Sequence, residues 1–211
     1  GGYRASGYGP SPLQGCKISG LKYGTYTVTV GGGGAKGYAS PSPSYPGFPG
    51  VLATSGGNSI FNPGGVECTS MITATGGGGG AQPNAQGAPA DVGQPGGSGG
   101  GGGGGTPPYP FGTGNAGCHT IPEGNPGAGG SAGWDLGGSG GGATGAGSTS
   151  PPCGTTPAIP SRGAGAPNAI TGSPVTYASG GAFTGVTPGT LICGSAGGAN
   201  TGNGRDAQGA G

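Results

Sequence analysis

Unbroken runs of glycine constrain this chain more than any other feature of its sequence. The longest run is Gly99–Gly105, and shorter runs occupy Gly31–Gly34 and Gly76–Gly80. Glycine has no Cβ, so other backbones can approach it more closely than they can approach any other residue. The runs recur between strand-like and proline-rich stretches, whereas a flexible linker is usually a single Gly/Ser tract. The glycine runs therefore belong either to a flexible linker or to a folded structure in which glycine segments pack together.

The glycine and proline content is typical of low complexity, but the low charge argues against ordinary disorder. Of 211 residues, 64 are Gly and 22 are Pro, and such a content without a three-residue period usually indicates low complexity. Disordered chains, however, are usually strongly charged, and here charged residues make up only 5% with a net charge of +1. A flexible linker stays the competing interpretation, because the cost of ordering glycine nearly cancels the gain from interchain hydrogen bonds.

The charge and hydropathy patterns exclude several classes of partner. No basic stripe for nucleic acid is present, and no apolar stretch approaches the ~20 residues that span a membrane. We therefore expect neither nucleic-acid binding nor membrane insertion. No signal peptide is visible, and the chain begins at Gly1 rather than Met, so we expect a processed chain or part of a longer protein.

Secondary structure is expected to be sparse. The longest stretch free of Gly and Pro is Val66–Thr75, with ten residues, which predicts essentially no α-helix. The alternation in "TYTVTV" (Thr25–Val30) predicts the clearest strand. Weaker strand candidates are "CKIS", "NSIF", "MITAT", "SPVTYAS" and "TLIC".

The glycine runs predict packed polyproline II helices. This helix has three residues per turn and no internal hydrogen bonds, so neighbouring helices must satisfy its backbone groups, and only glycine allows that approach. Pure runs such as Gly99–Gly105 should then be central. Broken runs such as Gly129–Gly147 should be peripheral, and a serine such as Ser98 should mark a face with room. The predicted fold class is irregular, without α-helix, with a packed glycine-rich polyproline II array, a few short β-strands and long loops.

Three parts of the chain differ in composition. Residues 1–30 are predicted to be a β-rich entry segment, and residues 31–147 the array with its proline- and aromatic-rich loops. Residues 148–211 are less regular in glycine content and are expected to belong to the same domain.

The sequence contains no catalytic motif in the structural context that its chemistry requires. "GGSGG" and "GGSAG" match the nucleophile pattern of hydrolases, but they lack the strand–turn–helix context and His119 is the only histidine. The few acidic residues are scattered singly, so paired acid–base catalysis is not indicated. We expect no enzyme, no cofactor and no metal site.

The five cysteines are far apart and follow no metal-binding spacing. Two alternatives stay open, free or variably oxidised thiols and one or two disulfides that staple loops. The disulfide candidates are Cys16, Cys68, Cys118, Cys153 and Cys193.

Aromatic residues cluster in the proline-rich segments. Rigid scaffolds carry function on loops, and aromatic side chains are low-entropy contact residues. Packing of each aromatic over the edge of the array is the alternative explanation. The candidate receptor-binding residues are Tyr38, Tyr45, Phe48, Tyr109, Phe111, His119 and Trp134.

Several blocks of the sequence resemble a known group of proteins. "YGTYTVTVGGGGAKG", "GGNSIFN", "ITATGGGGGA" and "GSPVTYASGG" resemble the glycine-rich domain of tail-fibre and other virion proteins of tailed phages. In a wider sense the chain is similar to the glycine-rich tail-fibre tip adhesins of T-even-like phages, in which loops between packed polyproline II helices bind the host receptor.

The resemblance implies a non-enzymatic, adhesive module on the virion surface, in an extracellular setting. Its expected partners are a host cell-surface glycan or outer-membrane protein, and other virion or fibre subunits. A purely structural virion or filament component is the first alternative. An ice-binding protein is the second, although such a protein needs a flat, regular row of small residues.

Overall fold

The structure, a computed structural model, describes residues 1–6, 9–15, 17–35, 37, 52–81, 92–103, 110–130, 137–149 and 162–181. This part of the chain contains no α-helix, and its helical content is the single 3-10 turn Ser11–Leu13. Short strands make up a small fraction of it, and most described residues lie outside regular elements. The expected irregular, loop-rich fold without α-helix is confirmed.

Within these ranges, seven short strands form three small sheets. Strands β1 (Ala5–Ser6) and β2 (Gln14–Gly15) pair in parallel. An antiparallel three-stranded sheet has the order β3 (Val28–Thr29), β4 (Ser59–Phe61) and β5 (Ile72–Ala74). A hairpin is formed by β6 (Ala166–Asn168) and β7 (Val175–Tyr177).

The strand predictions are mostly confirmed. Strands β3, β4, β5 and β7 lie inside "TYTVTV", "NSIF", "MITAT" and "SPVTYAS". The prediction for "CKIS" is wrong, because residues 17–19 are not a strand, and "TLIC" lies outside the described residues. Strand β6 was missed because it contains Pro167, which cannot donate to a ladder. Its ladder partner is β7, so proline is tolerated in an edge position.

The glycine-rich segments pack against one another through backbone hydrogen bonds that recur every three residues. The N–H groups of Gln94 and Gly97 donate to the carbonyls of Gly79 and Gly76. Three-residue spacing on both partners also holds for the pairs Gly138–Gly102 and Gly141–Gly99, and for Gly99–Asn125 and Gly102–Ala128. A period of three is that of the polyproline II helix.

The centre of this packing is the pure glycine run. Residues 96–103 are buried, and a Cβ placed on Gly100 would overlap the carbonyl oxygen of Gly79. The N–H of Gly100 donates to Gln94, and its carbonyl accepts from Gly112. No side chain fits where these backbones meet. The burial of residues 99–103 therefore agrees with the central position expected for the run Gly99–Gly105.

The expectation that the broken run Gly129–Gly147 is peripheral is wrong for residues 137–143. Residues 137–143 are buried, including Ser139. The hydroxyl of Ser139 accepts a 2.9 Å hydrogen bond from the N–H of Ser148. A serine therefore fits inside the array where its hydroxyl replaces a backbone partner, and glycine density alone does not indicate depth.

The expected free face at Ser98 is also wrong. Ser98 is only 4% exposed, and its hydroxyl donates a 2.9 Å hydrogen bond to the carbonyl of Gly1. Here too the side chain points at a neighbouring backbone and not at solvent.

A small conventional core lies beside the array. Tyr3, Ala143 and Ala166 are buried together, and Leu13 and Tyr177 pack against them. This core joins the first described segment to the β6–β7 hairpin. Described residues from all three predicted parts of the chain thus contact one another, while the boundaries at residues 30 and 147 stay predictions.

Candidate functional site

The glycine-rich segments run alternately in opposite directions. The N–H groups of Thr54 and Gly57 donate to Ala35 and Gly32, so residue numbers rise along one segment as they fall along the other. Other consecutive segments are also antiparallel, because their hydrogen-bonded pairs follow the same rule. These pairs, with the N–H donor first, are Gln94–Gly79 and Gly97–Gly76, Asn125–Gly142 and Ala128–Ser139, and Ser139–Ser148 and Gly142–Gly145. An up-and-down array of this kind has two ends, and each connection lies at one of them.

At one end, which we call the loop end, the connections between successive glycine segments lie outside the described residues. Its flanking residues are Ala35 and Leu52, Ala81 and Val92, Gly103 and Pro110, Gly130 and Gly137, Thr149 and Arg162, and Gly181. The stretches of the sequence that follow or join these residues each contain proline or an aromatic residue. They are 36–51, of which only Gly37 is described, together with 82–91, 104–109, 131–136, 150–161 and 182–211. All of these stretches are therefore attached at the same end of the array.

The opposite end, the turn end, consists of connections within the described residues. The chain reverses there at 62–71, 96–98, 115–123, 143–145 and 169–174. Residues 17–27 also lie at this end, because the N–H of Gly20 donates to the carbonyl of Thr69 and the N–H of Asn62 donates to that of Thr27.

Phe111 is the candidate aromatic that the structure places at the loop end. It follows Pro110, whose carbonyl accepts a hydrogen bond from Gly93, and it is 46% exposed. An exposed aromatic on a backbone held by the array is suited to contact a partner. The other loop candidates, Tyr38, Tyr45, Phe48, Tyr109 and Trp134, lie outside the described residues.

His119 lies at the turn end, away from Phe111. Its side chain is only 16% exposed, and its Nε2 lies 3.8 Å from Oε2 of Glu123. That nitrogen is buried and has no hydrogen-bond partner within the described part of the chain. The structure thus places at opposite ends two residues that the sequence grouped together, and the receptor-binding role of His119 stays a prediction.

Glu123 is a polar residue that the sequence did not single out. It is completely buried, and its two carboxylate oxygens accept hydrogen bonds from the N–H groups of Thr75 (2.8 Å) and Gly117 (3.1 Å). Its carbonyl accepts a third from the N–H of Tyr3 (2.7 Å). Glu123 therefore joins the first segment, the end of β5 and the 115–123 turn, a role that only the tertiary structure reveals.

Two of the cysteines are described, and they differ. Cys68, in the 62–71 turn, is disulfide-bonded, and its partner lies outside the described residues. Cys118 is free and exposed. Cys16, Cys153 and Cys193 lie outside the described residues.

A cleft of about 710 Å³ lies next to Gly1, which forms part of its wall. Glycine backbone makes up much of its wall, from residues 31–34, 56–57, 76–78 and 140–141, and Gly1 and Gly2 also line it. Arg4 is the one residue with a charged side chain among the described residues that line it, and its guanidinium lies 3.3 Å from the Glu67 carboxylate. The cleft therefore offers mainly backbone groups to an occupant.

Exposed apolar side chains are concentrated near the turn end. Those near the turn end, among the described residues, are Leu21, Tyr23, Val28, Val30, Val66, Ile121 and Ile170, and the other large exposed apolar side chain is Phe111 at the loop end. Val28 belongs to β3, an edge strand whose ladder partner is β4. This end of the molecule thus presents an apolar surface that differs from the aromatic, proline-rich chemistry of the loop end.

The described residues contain no group of three or more potential metal ligands. None of their helical turns is long and apolar enough to cross a membrane. No protein-family model matches the chain, and no curated protein or solved structure is similar to it.

Proposed function

We propose that this protein is a non-enzymatic virion module of the tail-fibre type that recognises a host cell surface through the loop end. The observation that carries the proposal is the attachment of six stretches, each containing proline or an aromatic residue, at one end of the hydrogen-bonded glycine array. Loops on a rigid scaffold are a common way to build a variable binding surface. The expected partner is a host glycan or outer-membrane protein, and the expected location is the virion surface.

The chemistry of the loop stretches suits such a partner. Tyr45, Tyr109 and Phe111 each stand next to proline, which limits the entropy lost on binding. Flat aromatic faces stack on sugars and on protein loops. Tyr and Trp side chains also dominate the binding energy of many interfaces.

The same proposal assigns the packed glycine segments to polyproline II helices. It is supported by hydrogen bonds that recur every three residues between the same two segments. We expect a far-UV circular dichroism spectrum of polyproline II and β type without helical minima, and a cooperative loss on heating. A coil spectrum without a thermal transition would contradict the assignment and favour the flexible linker.

Adsorption to host cells tests the adhesive role. The variant Tyr45→Ala, Tyr109→Ala, Phe111→Ala should bind intact host cells at least about a hundredfold more weakly than the parent, because two contacts worth about 2 kcal/mol each are already enough for this loss. Tyr23→Ala is the matched control, since Tyr23 is a fully exposed aromatic in the 17–27 segment of the turn end.

Both variants must first melt at the parent temperature. Undiminished adsorption by the folded triple variant would reject the loop end as the recognition surface. A loss on Tyr23→Ala instead would move recognition to the turn end. If neither the parent nor the variants adsorb to any tested host, the purely structural virion or filament component becomes the better interpretation.

A further inference from the structure

The two edges of the β3–β4–β5 sheet differ in how the rest of the chain covers them. At the β5 edge, the N–H of Thr73 donates a 3.3 Å hydrogen bond to a carboxylate oxygen of Glu67. The carbonyl of Thr73 accepts one of 3.3 Å from the guanidinium of Arg4, and Arg4 and Glu67 form an ion pair with each other. Charged side chains that occupy an edge in this way prevent a further strand from pairing with it.

The β3 edge has no such cover among the described residues. Bonded and non-bonded residue pairs alternate along an antiparallel ladder. The N–H of Asn62 donates to the carbonyl of Thr27, so the next residue, Val28, lies in a non-bonded pair and its own N–H and carbonyl point away from β4. The backbone groups of Tyr26 and Val30, two residues to either side, make no hydrogen bond within the described part of the chain.

This strand is also open to solvent and lacks the residues that usually protect an edge. Val28 is 64% exposed and Val30 is 82% exposed, and the threonines between and before them are exposed as well. The stretch "TYTVTV" contains no proline and no charged residue, although these are the common protection against edge-to-edge pairing. A row of outward backbone donors and acceptors on an exposed edge fits another extended strand.

The side-chain pattern of β3 indicates which strand would fit. Tyr26, Val28 and Val30 alternate with threonines, so one face of the strand is apolar and the other carries hydroxyl groups. Antiparallel pairing of two copies about Val28 would place Tyr26 opposite Val30 of the second copy. It would also place Thr27 opposite Thr29 of that copy. Aromatic–β-branched and Thr–Thr pairs are both favourable across strands, so the strand is complementary to itself.

We propose that two copies of this chain bind each other through β3, in an antiparallel pairing centred on Val28 that joins their two three-stranded sheets. Lys22 is the charged residue nearest to the stretch in sequence, and this arrangement places the two lysines beyond opposite ends of the paired strands. Two short strands form an interface at the low end of the usual sizes, so we expect monomer and dimer to exchange at about 0.1–1 mM protein. The proposal concerns the turn end and does not depend on what the loop end binds.

Sedimentation equilibrium of the full chain tests the dimer. The apparent mass should rise towards twice that of the monomer as the concentration increases, whereas Val28→Lys should stay monomeric, because lysine on an edge strand opposes pairing. Ile170→Lys is the matched control, since Ile170 is an exposed apolar residue (72%) in the β6–β7 turn, and it should dimerise like the parent. Both variants must melt at the parent temperature. A monomeric parent at about 1 mM, a dimer that survives Val28→Lys, or an equal loss in Ile170→Lys would overturn the proposal.

Cross-linking tests the register. In the proposed pairing the two Val28 Cα atoms lie about 5.5 Å apart, the spacing of a bonded antiparallel pair, which a disulfide can span. The two Thr29 Cα atoms lie roughly 8 Å apart, because they are displaced by two residues along the strands, and a disulfide cannot bridge them.

The cross-linking variants are made in a Cys118→Ser background, because Cys118 is free and exposed. On oxidation by air, Val28→Cys should form a covalent dimer at least about tenfold faster than Thr29→Cys. The Cys118→Ser protein without a new cysteine gives the background rate. Equal rates for the two cysteine variants, or no covalent dimer above that background, would overturn the pairing about Val28.

Discussion

The side-chain amide of Asn168 donates a 2.8 Å hydrogen bond to the hydroxyl of Tyr3. Tyr3 belongs to the first segment, and Asn168 ends strand β6 of the last hairpin. The Tyr3 ring is buried with Ala143 and Ala166, so the bond is the polar edge of the small core beside the glycine array. Side chains that are far apart in the sequence thus join the first segment to the β6–β7 hairpin beside the array.

We predict that Tyr3 contributes strongly to stability. Tyr3→Ala should lower the free energy of unfolding by about 3–5 kcal/mol, the usual cost of removing a buried aromatic ring. Tyr3→Phe should cost about 1 kcal/mol, because it removes only the hydrogen bond to Asn168. Urea denaturation measures both changes. Tyr23→Ala, at an exposed position, should stay within about 0.5 kcal/mol of the parent, and an effect there equal to that of Tyr3→Ala would contradict the role of this core.

A second prediction concerns the centre of the array. Gly100→Ala should cost about 2–5 kcal/mol, because its Cβ would push against the Gly79 carbonyl and separate the segments that Gly100 joins by hydrogen bonds. Gly24→Ala adds the same methyl group where space is free and should be neutral or slightly stabilising. Thermal unfolding of the two variants checks this, and similar shifts for both would show that the backbones do not pack as described.

Serines inside the runs give a third test. Ser98→Ala should cost about 1 kcal/mol, since it removes the hydrogen bond to the Gly1 carbonyl. Ser98→Val should cost a further ~1–3 kcal/mol by overpacking, so that it approaches the harm done by Gly102→Val. A harmless Ser98→Val, with a damaging Gly102→Val, would restore the expected free face at Ser98.

The sequence predicted the general architecture because glycine and strand signals are local. The strands at 59–61 and 72–74 follow from β-branched and aromatic residues in a short run, and the absence of α-helix follows from the density of Gly and Pro. The burial of residues 137–143 and of Ser98 did not follow. The hydroxyl of the buried Ser139 accepts a hydrogen bond from the N–H of Ser148, and that partner is set by the packing of segments.

The candidate site was predictable to a lesser degree. The aromatic content of the loop stretches is visible in the sequence, and the exposure of Phe111 agrees with a contact role. The grouping of His119 with those residues was not supported, because the position of a turn at one end or the other depends on how many times the chain reverses. Glu123 gave no signal, since a single carboxylate between Pro122 and Gly124 is ordinary for a surface loop.

The last prediction concerns that carboxylate. Glu123→Gln keeps the shape of the side chain but replaces one acceptor oxygen with an NH2 group, so the N–H of either Thr75 or Gly117 must face another donor in a buried position. We expect a loss of roughly 2–3 kcal/mol in the free energy of unfolding. Glu67→Gln is the matched control, because Glu67 is about one third exposed and a glutamine there still accepts from Arg4. It should cost about 1 kcal/mol or less. Chemical denaturation measures the free energy of unfolding of both variants. If the Glu123→Gln protein were as stable as the Glu67→Gln protein, the buried carboxylate would not hold the first segment, β5 and the 115–123 turn together.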